Sequence, residues 1–448
     1  MSPAHPIPRI LVAGGGVAAL ELLLALRANV GSPLAITLLS ADAAFAPPAM
    51  TVAEPFERGG AQTHDWREIT ARLDVRLVLD RLVAVDTDAH RVFTHDGRRI
   101  PYDVLVIATG ARRVEPLAGA LTFGVDAAAG PALRALIDDA RRSAARIAFA
   151  LPWPSSWSLP LYELALLTAH ELREHDSPAL VRIVTPERRA LELLGPAAGE
   201  AVMPILSAVG VELVAGVQPR AVVSGGLRLD DEATVEADHV VTIADVVARP
   251  VPGLPTDRAG FIPVDAYGLV TAEPDVYAVG EVTSFPLRQG GLAAQQADVV
   301  ADAIIARYAG GEPPRPFAPV LRARLTTSGA PLYLQARPSG RSLASYRAMW
   351  SPPEKVAGRY LAPYLATARP ELTLSATLAE RVPAVAGEPG DEHAAVKLAL
   401  TVAAAEARCH NRSRALQALD AALALEPDLD DPSYLALRGR LAEQVPAG

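Results

Sequence analysis

At 448 residues the chain is longer than one hydrophobic core supports, and half of its residues are hydrophobic against 21% charged, so two or three globular domains are expected. A formal net charge of -9 leaves no basic surface for a nucleic-acid partner. The single cysteine, Cys409, excludes an intramolecular disulfide, a CxxC pair and a cysteine-rich metal site, and two lysines, Lys355 and Lys397, leave almost no candidate for Schiff-base chemistry.

The chain opens MSPAHPIPRI, with no cationic segment followed by an apolar run, so no secretion signal is read. A buried strand over 10–13 leads into Gly14, Gly15 and Gly16 and then a helix over 17–27, whose apolar face is Leu20, Leu23, Leu24 and Ala25. In GxGxxG terms Gly14 and Gly16 match, and Ala19 takes the third position, where a small residue lets helix and strand pack closely. The next strand, 35–39, ends at Ser40, where an acidic residue usually holds an adenosine ribose; Asp42 is the nearest substitute. The segment YDVLVIATGA is an apolar strand closing on Ala108, Thr109 and Gly110.

A helix over 131–142 follows, with Pro131 suited to a first helical position. Next comes the outline of a second nucleotide-binding unit: a strand over 147–151, then a helix over 161–174 entered near Ser158 and Pro160. Between them a glycine turn would bring N–H groups against a pyrophosphate, yet the chain carries Pro152, Trp153, Pro154 and Trp157. Prolines remove donors and indoles fill space, so this second site is expected not to take a nicotinamide dinucleotide in the usual way. The tryptophans read as core or surface filling ahead of a substrate box. The longest uncharged stretch, between Arg146 and Glu163, is broken by Pro152, Pro154 and Pro160 and falls short of the roughly 20 apolar residues that span a bilayer.

Further on are a strand over 180–185, ending in VTPE at Glu187, a helix over 199–209 and a strand over 211–214. DVYAVGE is a strand ending in Gly280 and Glu281, followed by VTSFPLRQGGLAAQQA. A hairpin over 320–326 and 332–336 turns at Ser328, Gly329 and Pro331. After the linker PAVAGEPGDE, residues 392–408, 413–425 and 432–444 read as three helices, expected to be separable from the body. Ala415, Leu419, Ala422 and Pro427 give the middle one the spacing of a tetratricopeptide second helix; one such unit cannot bury its own face, so it is expected to pack on the body or a partner. Asp428, Asp430 and Asp431 argue against a membrane-surface helix. His90, His170 and His410 lack ligand partners at metal spacing, so no metal is expected.

The ordered set of glycine turn, ATG turn and VGE segment resembles the flavin-dependent pyridine nucleotide disulfide oxidoreductases, most nearly the branch of type II NADH dehydrogenases and sulfide:quinone oxidoreductases. It runs from about Ile10 to about Leu365 and includes FAPPAMTVAEPF from Phe45, GFIPVD from Gly260 and WSPPEKVAGRYLAPYL from Trp350. The resemblance implies an α/β fold of two nucleotide-binding, three-layer (Rossmann-like) domains. The FAD domain, 1–112 and 242–315, is split by a second, degenerate NAD-like domain, 113–241. A small α+β region, 316–372, covers the flavin or forms an interface, and 373–448 is linker and helical tail.

The resemblance also implies roles. Gly14 and Gly16 would face the FAD pyrophosphate, Ser40 would stand at the ribose, and the backbone of Leu82 would touch the adenine. Ala108, Thr109 and Gly110 would close the turn beneath the flavin nucleotide, and Gly280 and Glu281 would meet the ribityl hydroxyls. Arg288, Gln289, Gly290 and Leu292 would lie along the isoalloxazine edge, with Arg288 placing positive charge near N1 and C2=O.

Three functions stay open: an FAD-dependent oxidoreductase passing electrons from an unidentified reductant to a quinone or small acceptor; an NAD(P)H dehydrogenase that uses Glu187 as an unconventional ribose partner; and a flavin-binding sensor acting through its tail. Sulfide:quinone chemistry, which needs thiols beside the flavin, is set aside because none precedes Cys409. A cytoplasmic protein is expected, at most peripheral at a membrane, with a homodimer or a tail-bound protein partner both open.

Overall fold

The computed structural model describes residues 7–29, 34–367 and 393–443. Its first sheet is fully parallel, in the order Val276–Ala278, Val104–Ile107, Arg9–Ala13, Ala35–Ser40 and Arg76–Leu79. Every residue of Val104–Ile107 is buried, as expected of strands covered on both faces. One face is covered by the helices Val17–Asn29 and Gly290–Ala309, packed together through Leu20, Leu23, Leu24, Ala297 and Val300. The other face is covered by an antiparallel sheet of Leu82–Asp86, Arg91–Thr94 and Arg99–Pro101, which sets Val85 and Val92 against Leu11 and Leu105.

The second sheet repeats the plan. Its parallel order is Leu121–Phe123, His239–Ile243, Arg146–Ala150, Leu180–Thr185 and Val211–Ala215. The helices Ala129–Ala140, Leu159–Glu174 and Pro196–Val209 build a core on one face, and the antiparallel strands Pro219–Val223, Gly226–Leu229 and Thr234–Glu236 cover the other. The chain crosses between the sheets on an antiparallel ribbon, Arg112–Val114 with Asp245–Val247. A third, antiparallel sheet joins Leu321–Leu325, Leu332–Ala336 and Ser342–Ser345. Among the described residues no helix is long and apolar enough to cross a membrane.

Some boundaries move from their sequence positions. Pro131 is the third residue of its helix, not the first, because the Asp126 carboxylate accepts the N–H groups of Ala128 and Ala129 at 2.9 and 3.2 Å and starts the helix earlier. The helices expected from 161 and 199 begin at Leu159 and Pro196. The tail comprises Ala394–Arg408, Arg412–Leu425 and Pro432–Glu443; the PAVAGEPGDE linker, with Glu392, and Gln444 lie outside the described residues. Nor does the tail stand apart from the body, since Ala395 and Leu398 belong to the same apolar cluster as Leu194, Phe285 and Phe317.

Candidate functional site

One cavity of about 520 Å³ lies where the carboxyl ends of both parallel sheets converge, a volume within the roughly 300–1,000 Å³ range of cofactor and ligand pockets. Two helices open onto it with their N-termini: Gly16, Val17 and Ala18 from one, and Gly290, Gly291 and Ala293 from the other. Both leave backbone N–H groups without intrahelical partners, and both carry the positive end of a helix dipole.

Of the residues expected at the cofactor, Gly16, Ala108, Gly110, Gly280, Glu281, Arg288, Gln289 and Gly290 line this cavity; Gly14, Ser40, Leu82, Thr109 and Leu292 do not. A Cβ on Gly16 would meet no heavy atom within 4 Å, so its bare backbone faces open space. Gly14 is needed for a different reason: at φ +131° its Cβ would sit 2.1 Å from the Ala108 carbonyl oxygen and 2.8 Å from the Thr109 nitrogen, so the two turns cross only because that atom is missing. Ser40 is buried, and its Oγ donates to the Asp42 carbonyl at 2.8 Å. Leu82 faces the apolar core beneath the antiparallel sheet. Thr109 keeps a buried hydroxyl with no hydrogen-bond partner, and Leu292 is a core residue.

The polar wall is largely made of pairs that spacing along the chain does not reveal. Glu281 faces Arg113, with Nη2 at 3.5 Å from Oε1. Gln289 caps its own helix, accepting the Leu292 N–H at 2.7 Å, and donates to the Arg322 carbonyl at 3.1 Å. The Arg288 guanidinium lies 4.0 Å from the Phe261 ring centroid and donates to the Phe285 carbonyl; burial pushes its pKa down to about 10. Arg322, 6% exposed, is pushed down to about 10 by burial as well, and no carboxylate of a described residue lies within ion-pair distance of it. Glu163, fully buried, holds Lys355 Nζ at 2.8 Å and accepts the Thr326 N–H at 2.7 Å. Arg113 directly follows the ATG turn and Lys355 lies in the WSPPEKVAG segment, so proximity to those motifs was the available signal.

The second sheet's turn also reaches the cavity, through Ser155, Ser156 and Trp157. Glu187 is not placed to hold a ribose. It is 1% exposed and takes hydrogen bonds from Ser158, Tyr162 and Thr185 hydroxyls and the Glu192 N–H at 2.9, 2.8, 3.2 and 3.1 Å, while burial pushes its pKa up to about 7. Ser158, spent on Glu187, makes no side-chain cap to its own helix. Cys409 sits off the cavity on the tail, its thiol pushed up to about 11 by burial. Among the described residues the grouping of metal-competent side chains, Asp80, His95 and Asp96, also lies off the cavity.

The profile of a family described as pyridine nucleotide-disulphide oxidoreductase matches residues 8–143 and 164–303. The residues it passes over, 144–163, hold the central strand of the second sheet, its proline and tryptophan turn and the start of the helix Leu159–Glu174. Over 230 residues the chain is 30% identical to an NADH dehydrogenase-like protein found in two strains of Mycobacterium tuberculosis, covering 46% of this chain and 55% of the relative. The chain thus spans about half the length of the curated relatives it matches.

Among solved structures, the sulfide:quinone oxidoreductase of Aquifex aeolicus has a TM-score of 0.66 at 19% identity, over 75% of this chain and 86% of that one. A ferredoxin reductase from Rhodopseudomonas palustris has a TM-score of 0.56 at 22% identity, over 73% and 81%. A NAD-dependent persulfide reductase from A. fulgidus has 0.52 at 18%, over 73% and 64%. At these identities the likeness is one of fold.

Proposed function

The chain belongs to the pyridine nucleotide-disulphide oxidoreductase family, and from that premise we propose that it is an FAD-dependent oxidoreductase that takes electrons from a donor other than a nicotinamide dinucleotide and passes them to a quinone or small acceptor. The observation that carries the flavin assignment is the pair of helix N-termini at Gly16 and Gly290, which open from distant parts of the sequence onto one cavity whose wall at Gly16 lacks a side chain. An FAD pyrophosphate would lie at Gly16 and Val17, with Gly280, Glu281 and Arg113 beside the ribityl chain and Gly290 and Arg288 beside the ring. The adenosine end would be held without a hydrogen bond from the Ser40 hydroxyl, which bonds its own loop.

When bound, the flavin supplies reversible two-electron transfer. The chain does the rest. Arg288 and Arg322, both driven into low dielectric, favour negative charge at the wall they share with the Gly290 N-terminus. Lys355 pairs with Glu163 on the cavity wall, next to the Val356 that packs against Gly290, and the Thr326 N–H fixes that carboxylate's second oxygen. Phe261 and Trp157 keep water from parts of the wall.

A second reading, an NAD(P)H dehydrogenase, draws support from the M. tuberculosis relatives' name. Against it stand the donor-poor turn at Pro152–Trp157 and the enclosed Glu187. Anaerobic stopped-flow mixing separates the two: flavin absorbance should persist through the millisecond range at micromolar NADH or NADPH, whereas rapid bleaching would promote the second reading. The purified protein is expected to carry FAD by its absorbance spectrum; a colourless preparation that stays apo on FAD titration would overturn the proposal.

A further inference from the structure

In an open α/β sheet a ligand sits outside the carboxyl ends of the strands, where the order of strands reverses. In the second sheet that edge is already taken by the chain itself. Beyond Arg146–Ala150, the Ser155 N–H donates to Glu406 Oε1 at 3.0 Å. Beyond Leu180–Thr185, Glu192 pairs with Arg408 Nη2 at 3.2 Å. Beyond Val211–Ala215, Gln218 Nε2 donates to Asn411 Oδ1 at 3.2 Å and to the Pro152 carbonyl at 2.9 Å. Beyond His239–Ile243, Asp245 pairs with Arg414, whose guanidinium also lies 4.7 Å from the Trp153 ring centroid and donates to Ser155 Oγ at 3.3 Å. Four parallel strands thus end in turns that contact the first two tail helices or the Asn411 between them.

The character of these contacts sets them apart from simple apolar docking. Glu406 is fully buried, and burying a carboxylate is costly unless it is bonded on both oxygens. It is so bonded: Ser155 N–H meets one oxygen and Asn411 Nδ2 the other, at 2.7 Å. Carboxylate and phosphate oxygens are both anionic acceptors and satisfy a turn N–H in the same manner. Arg414 lies over the Trp153 indole, and Ser413, Arg414 and Gln417 complete the cavity wall at this end.

We infer that the helices Ala394–Arg408 and Arg412–Leu425 are a built-in occupant of the second nucleotide crevice, with the Glu406 carboxylate on the Ser155 N–H in place of a phosphate oxygen. The tail is therefore the specificity determinant for the electron donor. A dinucleotide is shut out, and the donor is a molecule small enough for the space left beside Ser413, Arg414 and Gln417. Only this last step rests on the flavoprotein reading; the occupancy itself does not.

The test uses the full-length chain. Glu406→Ala leaves a bare N–H and room for an anion, so inorganic pyrophosphate and ADP at saturation are expected to raise its melting temperature by about 3 °C and to leave the parent unmoved. Glu406→Gln, which keeps an acceptor on the Ser155 N–H, should behave as the parent does. Should Glu406→Ala fail to fold, Arg414→Ala, which uncovers the Trp153 face and Asp245, is read with ADP in the same way. Amide exchange in residues 152–158 and 402–417 supplies the second readout: both segments should be protected in the parent and loosened in the Ala variant until ligand is added.

Parent protein that binds ADP or NADH with exchange in 402–417 unchanged would overturn the inference. So would an Ala variant that folds and binds neither ligand. Flavin absorbance of the Glu406 variants reports separately on the flavoprotein reading, because Glu406 does not line the cavity onto which Gly16 and Gly290 open.

Discussion

Substituting Gly14 and Gly16 should give different failures, although both glycines belong to one motif. A side chain at Gly14 strikes the backbone of the ATG turn, so Gly14→Val is expected to destabilise the fold as a whole. At Gly16 the space is open, and Gly16→Val should yield folded protein with a native circular dichroism spectrum and little bound flavin. A Gly16→Val protein that purifies with full flavin would remove the cavity from its assigned role. The Glu163–Lys355 pair gives a second comparison. Lys355→Met should leave a buried carboxylate uncompensated and cost about 3–5 kcal/mol, while adding Glu163→Gln should recover much of it, measured by chemical denaturation.

A buried carboxyl pair sets a pH signature. Glu21 accepts the Tyr360 and Leu361 N–H groups at 2.8 and 2.6 Å and shares a hydrogen bond with Asp298. Burial pushes Glu21 from 4.5 up to about 7, and Asp298 also goes up. The folded state therefore keeps a proton that the unfolded chain releases at lower pH. This contribution to stability is full below about 4.5 and is lost as pH rises through about 7. Asp298→Asn removes one of the two raised carboxyls while burial still acts on Glu21, so its melting temperature should fall less steeply than the parent's between pH 5 and pH 8; a constant offset would contradict the contribution of Asp298.

Among the elements, those legible in the sequence were the ones specified by continuous apolar runs and glycine turns. Arg9–Ala13, Val104–Ile107 and Leu180–Thr185 are buried parallel strands, and hydrophobic runs of that length announce them. Helix starts were less legible because their caps are unconventional: Asp126 caps from outside Ala129–Ala140, and Ser158 turns away to Glu187. Gly16, Gly110, Gly280 and Gly290 were readable from their turn motifs, and all four line the cavity. Ser40, Leu82 and Leu292 occupied the right places in the motif but turn their side chains into loop and core. Arg322 and Glu163 become wall residues only when distant segments meet, which no local spacing encodes.

The tail is where reading by composition misleads most. A change of character after Pro383 suggests a detachable unit, yet Ala395 and Leu398 complete the core of the second domain. Ending the chain at residue 367 should therefore expose an apolar face, lowering the melting temperature and raising binding of a hydrophobic dye. A truncated protein as stable as the parent would show that these contacts contribute nothing measurable.

Across the molecule as a whole one architectural idea occurs twice, and the geometry of the join lets either copy change without the other. The second domain leaves and re-enters the first at Val114 and Asp245, which are direct partners in the antiparallel ribbon. Such partners stand about 5 Å apart, a gap that a two-residue turn closes. The inserted domain is in this sense a cartridge: its ends lie side by side, so its turns can lose their glycines and accept new occupants without shifting the strand register around Gly16. A sheet joined in this manner can be altered at its turns while the strands around Gly16 stay in place.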